Sequence, residues 1–195
     1  MLEKNKYMLK QIDQQLFLII NRIWANDFFD FVMPLMRSKL FWAPLYLFLI
    51  VFFVVNFGKK GWISVLFILI TFALTDFISA GVFKPIFERL RPCNDPNIMG
   101  LARNIVGCGS GYSFVSSHAA NHFGMAIMIG SIFKQKWPWV KSAFIIWATV
   151  ICYAQAYVGV HYPLDVICGA IIGILIGKFT FALHEKFNSL KNVQH

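Results

Sequence analysis

Five long apolar runs constrain the fold of this chain more than any other feature. A helix needs ~20 residues to cross a hydrocarbon layer of ~30 Å, because each residue adds ~1.5 Å. Runs of about this length cover residues 40–57, 62–83, 113–133, 139–155 and 164–183. They predict an all-α protein, a polytopic integral membrane helical bundle of five to six transmembrane helices.

The composition excludes an ordinary water-soluble domain. Of the 195 residues, 58% are hydrophobic and 14% are charged, whereas about 25% of a typical soluble domain is charged. The net charge of +9 is scattered between the apolar runs rather than gathered in one stripe, so we expect no nucleic acid partner. The basic excess instead indicates a lipid bilayer with anionic headgroups as the partner.

The chain divides into an N-terminal amphipathic segment, a membrane-embedded domain and a short tail, with the bounds 1–39, 40–185 and 186–195. Within the first part, residues 14–37 mix apolar residues with Arg22, Asp27 and Asp30, and the apolar pattern breaks near Asn26. This pattern favours a pair of helices at the membrane interface. The alternative is that this segment crosses the membrane.

The distribution of lysines predicts the orientation in the membrane. Five crossings counted from residue 40 place connections 58–61 and 134–138 and the C-terminus on one, lysine-rich side. Because cytoplasmic loops carry an excess of Lys and Arg, this side is expected to face the cytoplasm. Connections 84–112 and 154–163 then lie on the outer, periplasmic face of a bacterial inner membrane.

The long polar connection contains the first candidate motif. Pro85 suits the first turn of a helix and Pro92 ends it, so the sequence predicts a helix between them. Lys84, Glu88 and Arg91 then share one face. Either Glu88 neutralises both cations in an interfacial helix, or the two cations converge on a common ligand.

The second motif opens the third apolar run. Ser116 and Ser117 stand directly before His118 at the expected start of a helix. Hydroxyl groups and free backbone N–H groups at a helix N-terminus form an anion site, because the helix dipole also favours negative charge there. A single histidine in this position is weak evidence by itself.

The third motif pairs His161 with Asp165, four residues later at the start of the last run. A carboxylate at this spacing can keep one imidazole nitrogen protonated, which leaves the other nitrogen free to attack. A metal site is a weaker interpretation, because the pair His118 and His122 lacks a convincing third ligand. We expect no metal and no cofactor.

Three patterns therefore follow one another along the chain: Lys84-x6-Arg91-Pro92, Ser116-x-His118 and Gly159-x-His161-x3-Asp165. This order resembles the type 2 phosphatidic acid phosphatase / vanadium haloperoxidase superfamily. The motifs span residues 84–165, and the helical layout extends the resemblance to 40–185.

The resemblance implies a role for each residue of the motifs. Phosphate would be bound by the side chains or backbone of Lys84, Arg91, Ser116 and Ser117. His161 would be the nucleophile and Asp165 would orient it, while His118 would donate a proton to the leaving oxygen. Water would then hydrolyse the phosphohistidine.

Two positions depart from the family pattern. Residues 115–118 read Val-Ser-Ser-His where the family usually has Pro-Ser-Gly-His, and Ala154 and Gln155 stand where it usually has Ser-Arg. Gln155 is expected to bind phosphate as a neutral donor, about half as strongly as a charged one. We expect Arg103 or Lys39 to compensate; lost activity and a differently charged headgroup are the alternatives.

Four further residues carry open interpretations. Cys93 and Cys108 flank the loop between the first two motifs, where an oxidising periplasm would allow a disulfide. Asp76, inside the second run, is either bonded to a neighbouring helix or linked to catalysis. His122 either supports His118 or only packs.

Together these features predict a metal-independent phosphatase that removes a terminal phosphate from a membrane lipid. Isoprenyl diphosphate, lipid A and glycerolipid phosphates are the substrate classes that the resemblance implies, with the first two favoured. The main alternative is a non-catalytic membrane protein of the same fold that binds lipid or acts as a scaffold. A haloperoxidase and a transporter are less favoured, and the oligomeric state is left open.

Overall fold

A computed structural model describes residues 2–187, apart from the side chains of Leu2, Glu3 and Lys6. Over these residues the chain is helical and contains no strand, so the predicted all-α class is confirmed. The helices are α1 (Leu2–Leu18), α2 (Asp27–Met36), α3 (Lys39–Asp76), α4 (Lys84–Phe87), α5 (Ser117–Ile132), α6 (Trp139–Tyr157) and α7 (Pro163–Phe187). Shorter helical turns cover Ile19–Ile23, Phe77–Phe83 and Pro92–Asn94.

Gly58 divides α3 into two legs that fold back on each other. Its backbone has φ 54° and ψ −125°, a conformation that glycine adopts easily because it has no Cβ. Phe53 of the first leg and Val65 of the second leg consequently share one hydrophobic cluster. The legs correspond to the first two predicted runs, and the reversal falls within the predicted connection 58–61.

Within the described residues, three segments are long and apolar enough to cross a membrane: Lys39–Asn94, Trp139–Tyr157 and Pro163–Phe187. The first of these contains both legs of α3. Helix α5 has 16 residues, which is shorter than the ~20 residues of a typical crossing. The chain is thus a membrane protein, and the count of five to six crossings stays a prediction.

Helix α5 is the central helix, and most of its residues are buried. It packs along α7 through small residues. A Cβ added to Gly169 would lie 2.5 Å from the carbonyl oxygen of Ser116, and one added to Gly177 would lie 2.6 Å from that of Gly124. Small residues let membrane helices approach closely, and this approach holds the start of α7 against the start of α5.

Replacing Gly173 by alanine should separate α5 from α7. The new Cβ would overlap the carbonyl oxygen of Ala120 and lie 2.9 Å from the nitrogen of Gly124. We expect a lower unfolding midpoint in detergent and a loss of about 1–3 kcal/mol in stability. Gly100→Ala is the matched control, since a Cβ there meets nothing within 4 Å. Equal midpoints for the two variants would contradict this packing.

Residues 14–37 form two helices that break where the sequence predicts. The side chain of Asn26 caps α2 by accepting the backbone N–H of Phe29 at 2.9 Å. Helix α2 packs on α6, and Met33 shares a buried cluster with Ala154 and Tyr157. Helix α1 leaves an apolar side exposed, formed by Tyr7, Met8, Leu9, Ile12 and Leu16.

The long connection between α4 and α5 is closed by a disulfide. Cys93 and Cys108 are bonded, with their Cα atoms 5.8 Å apart, so the interpretation of this pair as a disulfide is confirmed. The bridge ties together the two ends of the segment that separates the first motif from the second.

Candidate active site

The three motifs lie side by side where α5 and α7 begin. The backbone N–H of Ser116 donates to the carbonyl oxygen of Asp165 at 3.0 Å. The guanidinium of Arg91 donates to the carbonyl oxygen of Val160, the neighbour of His161, at 3.3 Å. Segments that are remote in sequence therefore form one site.

His161 is buried, with 2% of its surface exposed. Its Nδ1 lies 3.2 Å from Ser113 Oγ and 3.7 Å from Asp165 Oδ2. Ser113 donates its own proton to Asp165 Oδ2 at 2.5 Å, so Nδ1–H of His161 donates to the serine oxygen. Asp165 thus lies next to His161 and also contacts it through the Ser113 hydroxyl, while its orienting role stays a prediction. Nε2 keeps the free lone pair.

Arg89 connects Asp165 to the N-terminal helix α1. Its Nη1 donates to Asp165 Oδ1 at 2.7 Å, and its Nη2 donates to Asp13 Oδ2 at 2.5 Å. Asp13 Oδ1 also accepts the backbone N–H of Leu164 at 2.9 Å. Arg89, Asp13 and Ser113 were not among the site residues predicted from the sequence. Arg89 and Ser113 adjoin the recognised motifs, but Asp13 lies 76 positions before Arg89 and carries no local signal.

The predicted helix over 85–92 is wrong in its extent. Helix α4 ends at Phe87, and Glu88 adopts a left-handed backbone with φ 44°. The chain turns away at this point, which lets Arg89 reach its two aspartates. Glu88 accepts a hydrogen bond from the hydroxyl of Tyr112 at 2.9 Å. The alternative in which Glu88 neutralises Lys84 and Arg91 is therefore wrong.

Lys84 and Arg91 consequently keep charges that no carboxylate neutralises by direct contact. Over residues 2–187, the Lys84 ammonium has no hydrogen bond and no ion pair. Arg91 donates only to backbone carbonyl oxygens, those of Ser110, Gly111 and Val160. Both cations remain able to bind an anion beside His161.

The start of α5 has the features of an anion site. Ser116 is the N-cap, and its hydroxyl accepts the backbone N–H of Ala119 at 3.4 Å. The hydroxyl of Ser117 is buried and has no hydrogen-bond partner in the described part of the chain. The first backbone N–H groups of a helix also lack partners within the helix. His118 follows in the first turn.

Gln155 is fully buried next to the nucleophile candidate. Its carbonyl oxygen accepts the backbone N–H groups of Val160 at 3.2 Å and His161 at 3.3 Å. Neither atom of its side-chain amide is hydrogen-bonded within the described residues. Arg103, one of the two expected compensating cations, is wrong for that role because its guanidinium is bonded to Asp30 and to the backbone of Asn21. Lys39, the other expected cation, lines a cavity between the two legs of α3, α5 and α6.

A cavity of about 540 Å³ lies between the two legs of α3, α5 and α6, within the ~300–1,000 Å³ typical of ligand sites. Its polar lining comes from the first turns of α5 and from both ends of α3: Lys39, Tyr46, Asp76, Ser117, His118, Asn121 and His122. The rest of the wall is apolar and includes Leu49, Phe53, Ile68, Met125 and Ile129. The cavity thus suits an amphiphile whose polar end lies at His118.

Asp76 and His122, whose interpretations were left open, both form hydrogen bonds in this cavity. Asp76 accepts a bond from the side chain of Asn121 on α5 at 3.1 Å, which confirms the helix–helix interpretation. His122 Nδ1 lies 2.8 Å from the carbonyl oxygen of His118, and its Nε2 lies 3.2 Å from the hydroxyl of Tyr46. Because a carbonyl only accepts, Nδ1 carries the proton and Tyr46 donates to Nε2.

The environment of His161 keeps its ring neutral. Burial lowers the pKa of His161 to about 4, and the charges of Arg91 and Lys84 act in the same direction while Asp165 opposes them. A neutral ring is the form that carries a lone pair for attack. Since the folded pKa lies below the ordinary value of about 6.5, folding stability falls as the pH decreases from that value toward the folded pKa.

We expect an NMR titration of ¹⁵N-histidine-labelled protein in micelles to detect this neutral ring. The His161 signal, assigned by its loss in His161→Asn, should report the Nδ1–H form down to about pH 5, since burial lowers the pKa to about 4. A titration midpoint near 6.5, the value of an unperturbed histidine, would contradict the buried environment.

Comparison with known proteins identifies the class of this site. The sequence profile of the PAP2 superfamily matches residues 61–189. The "Lipid A 4'-phosphatase" of Bacteroides thetaiotaomicron is 35% identical over 181 residues, which cover 91% of this chain and 79% of that protein. These findings define a membrane phosphatase. The chain belongs to the PAP2 superfamily, so the family and the enzyme class predicted from the motifs are confirmed.

Two further comparisons agree with this assignment. The "Lipid A 4'-phosphatase" of Porphyromonas gingivalis is 29% identical over 187 residues, covering 92% of this chain and 75% of that protein. The crystal structure of a PAP2-type phosphatidylglycerolphosphate phosphatase from Bacillus subtilis matches with a TM-score of 0.71 at 21% identity. That match covers 96% of this chain and 90% of the other, and it shows that the two folds are alike.

Proposed function

We propose that this protein hydrolyses the terminal phosphate of a membrane lipid through a phosphohistidine at His161, without a metal. The observation that carries the proposal is the state of His161, whose Nδ1 faces Ser113 and whose Nε2 is left free. The ring is buried and neutral beside the uncompensated charges of Lys84 and Arg91.

The first step forms the covalent intermediate. Nε2 of His161 attacks phosphorus, the bond between phosphorus and the lipid oxygen breaks, and His118 gives its proton to that oxygen. The ring becomes positively charged, and Asp165 stabilises this charge through the Ser113 hydroxyl. Lys84 and Arg91 neutralise the phosphoryl oxygens as negative charge develops on them.

The second step releases phosphate. Water attacks phosphorus, the bond between phosphorus and Nε2 breaks, and His118 takes a proton from the water. The donors at the start of α5, the Ser116 cap and the backbone at Ser117, hold the phosphoryl group during both steps. Gln155 adds a neutral donor from α6. The resting state returns with His161 neutral.

The cavity supports a lipid as the substrate. Its polar end contains His118, and its apolar wall continues between the legs of α3 and α5. Binding energy from the acyl or prenyl chain would hold the phosphate beside His161. The names of the two lipid A phosphatases support a phosphorylated acylated sugar as the first substrate to test, and isoprenyl diphosphate is the second.

We place the active site at the outer face of a bacterial inner membrane, in a bundle of five to six crossings. The disulfide between Cys93 and Cys108 supports this side, because disulfides persist in the periplasm and are rare in the cytosol. The lysine-rich connections 58–61 and 134–138 support the cytoplasmic assignment of the opposite face. In this placement the lipid enters from the outer leaflet.

The test is phosphate release by purified protein from mixed micelles that contain one lipid at a time: lipid A, undecaprenyl diphosphate, phosphatidic acid or phosphatidylglycerophosphate. We expect turnover without added metal and in the presence of a chelator. Turnover of one class at least tenfold above the others would identify the substrate class. No release from any of the four would favour the non-catalytic lipid-binding protein.

A further inference from the structure

Arg37 is a cation that has no role in the proposed phosphatase mechanism. It follows the last residue of α2 and is half-buried. Its Nε is shielded from solvent and has no hydrogen-bond partner over residues 2–187, and its guanidinium forms no ion pair there. Buried polar groups are bonded in the great majority of cases, so this donor indicates a ligand from outside the chain.

The packing of α2 on α6 brings Arg37 to the active site. Met36, its neighbour, packs against a cluster that contains Ala154 and Val160. These two residues directly precede Gln155 and His161 in the chain. The guanidinium is therefore carried to the same end of α6 as the nucleophile.

Over residues 2–187, Arg37, Lys84 and Arg91 form no ion pair with a carboxylate. The charge of Arg37 acts on both Arg91 and His118. Lys84 has no partner in the described part of the chain, and Arg91 bonds only to carbonyl oxygens. Asp165 is bonded to Arg89, and Asp76 accepts a bond from Asn121. Like charges that lie close together in a half-buried site repel one another, so this arrangement favours a bound anion.

We propose that Arg37 is a third phosphate-binding cation, which supplies the charge that Gln155 does not. A guanidinium presents two parallel donors to phosphate oxygens, and these charge-assisted bonds are about twice as strong as neutral ones. The inference rests on the proposed function for the identity of the ligand. It also extends the site beyond residues 61–189, the part matched by the family profile, because Arg37 comes from the N-terminal segment.

The first experiment measures the affinity of purified full-length protein for inorganic phosphate by calorimetry in detergent. Arg37→Gln should weaken binding by on the order of 10- to 100-fold, which is the effect of losing a charged hydrogen bond. Arg22→Gln is the matched control, because it removes the same charge from an exposed position of the same segment. An affinity within twofold of the wild type for Arg37→Gln would overturn the proposal.

The second experiment distinguishes phosphate binding from a structural role by rescue. If Arg37 replaces a cation that α6 lacks, adding Gln155→Arg to Arg37→Gln should restore most of the phosphate affinity and lower the KM of the double variant. A merely structural role of Arg37 predicts no rescue by Gln155→Arg in folded protein, and that result would overturn the proposal.

A conservative variant covers the case in which Arg37→Gln does not fold. Arg37→Lys keeps the charge but not the two-point geometry, so we expect an unchanged unfolding midpoint and a severalfold weaker phosphate affinity. Unchanged phosphate affinity in Arg37→Lys together with failed folding of Arg37→Gln would indicate a structural cation and contradict the inference.

The inference and the proposed function fail in different ways. If phosphate binding depends on Arg37 but no lipid releases phosphate, the Arg37 binding site is supported and the hydrolase activity is rejected. If lipids are hydrolysed but neither the KM nor the phosphate affinity changes in Arg37→Gln, the hydrolase activity is supported and the role of Arg37 is rejected.

Discussion

Replacing His161 by alanine is expected to reduce phosphate release by on the order of 10⁴-fold or more, because no other group can take the place of a covalent nucleophile. The ring is held from one side by Ser113 and lies in a buried position. The substitution removes the only atom that we propose to bond to phosphorus. Binding of lipid should change much less than turnover, since Lys84 and Arg91 remain.

A second buried histidine provides the control for this substitution. His184 lies near the end of α7, where its Nε2 is 3.0 Å from Ser64 Oγ, and it is as inaccessible as His161. His184→Ala removes the same ring without touching the site, so the folded variant should retain a rate within a few-fold of the wild type. Equal rates for His161→Ala and the wild type would reject the proposed hydrolase.

Replacing Arg89 by glutamine is the second change with a large expected effect. Arg89 bonds both Asp165 and Asp13, and its loss leaves two carboxylates without their cation. Breaking a buried pair from one side costs about 3–5 kcal/mol. Burial raises the pKa of Asp13 while Arg89 lowers it, so the pKa of Asp13 should rise further in the variant. We expect a lower unfolding midpoint and a kcat reduced by on the order of 10²-fold.

Two related variants separate the effects of Arg89 on stability and on turnover. Asp13→Asn keeps the bond between Arg89 and Asp165, so it should lower stability more than kcat. Arg89→Lys carries a single ammonium that cannot reach both aspartates with the geometry of a guanidinium, and it should fall between the wild type and Arg89→Gln. A kcat of Arg89→Gln equal to the wild type would show that Arg89 does not position the nucleophile.

The sequence predicted those parts of the fold that depend on local pattern. Apolar runs anticipated both legs of α3 and the long helices α6 and α7, because the length of a membrane helix is set by the bilayer. The break near Asn26 followed from the interruption of the apolar pattern there. The closeness of His161 and Asp165 followed from their spacing on one turn. Each of these features depends on residues that are close together in the sequence.

The parts that the sequence did not predict depend on contacts between remote segments. Helix α4 ends early because Arg89 turns toward Asp13 and Asp165, and nothing near residue 88 encodes Asp13. The same holds for Ser113, which separates Asp165 from His161 only once α5 and α7 have packed together. Arg37 gave no signal in the sequence, because its role depends on α2 lying against α6.

Trapping the phosphorylated enzyme tests the central claim most directly. Purified protein would be mixed with lipid that carries ³²P in its terminal phosphate and then quenched in alkali within milliseconds, under conditions that preserve phosphohistidine. The account predicts a label that survives base, is lost in acid, maps to the peptide containing His161 and is absent from His161→Ala. Turnover without any covalent label, or a label on a different residue, would contradict it.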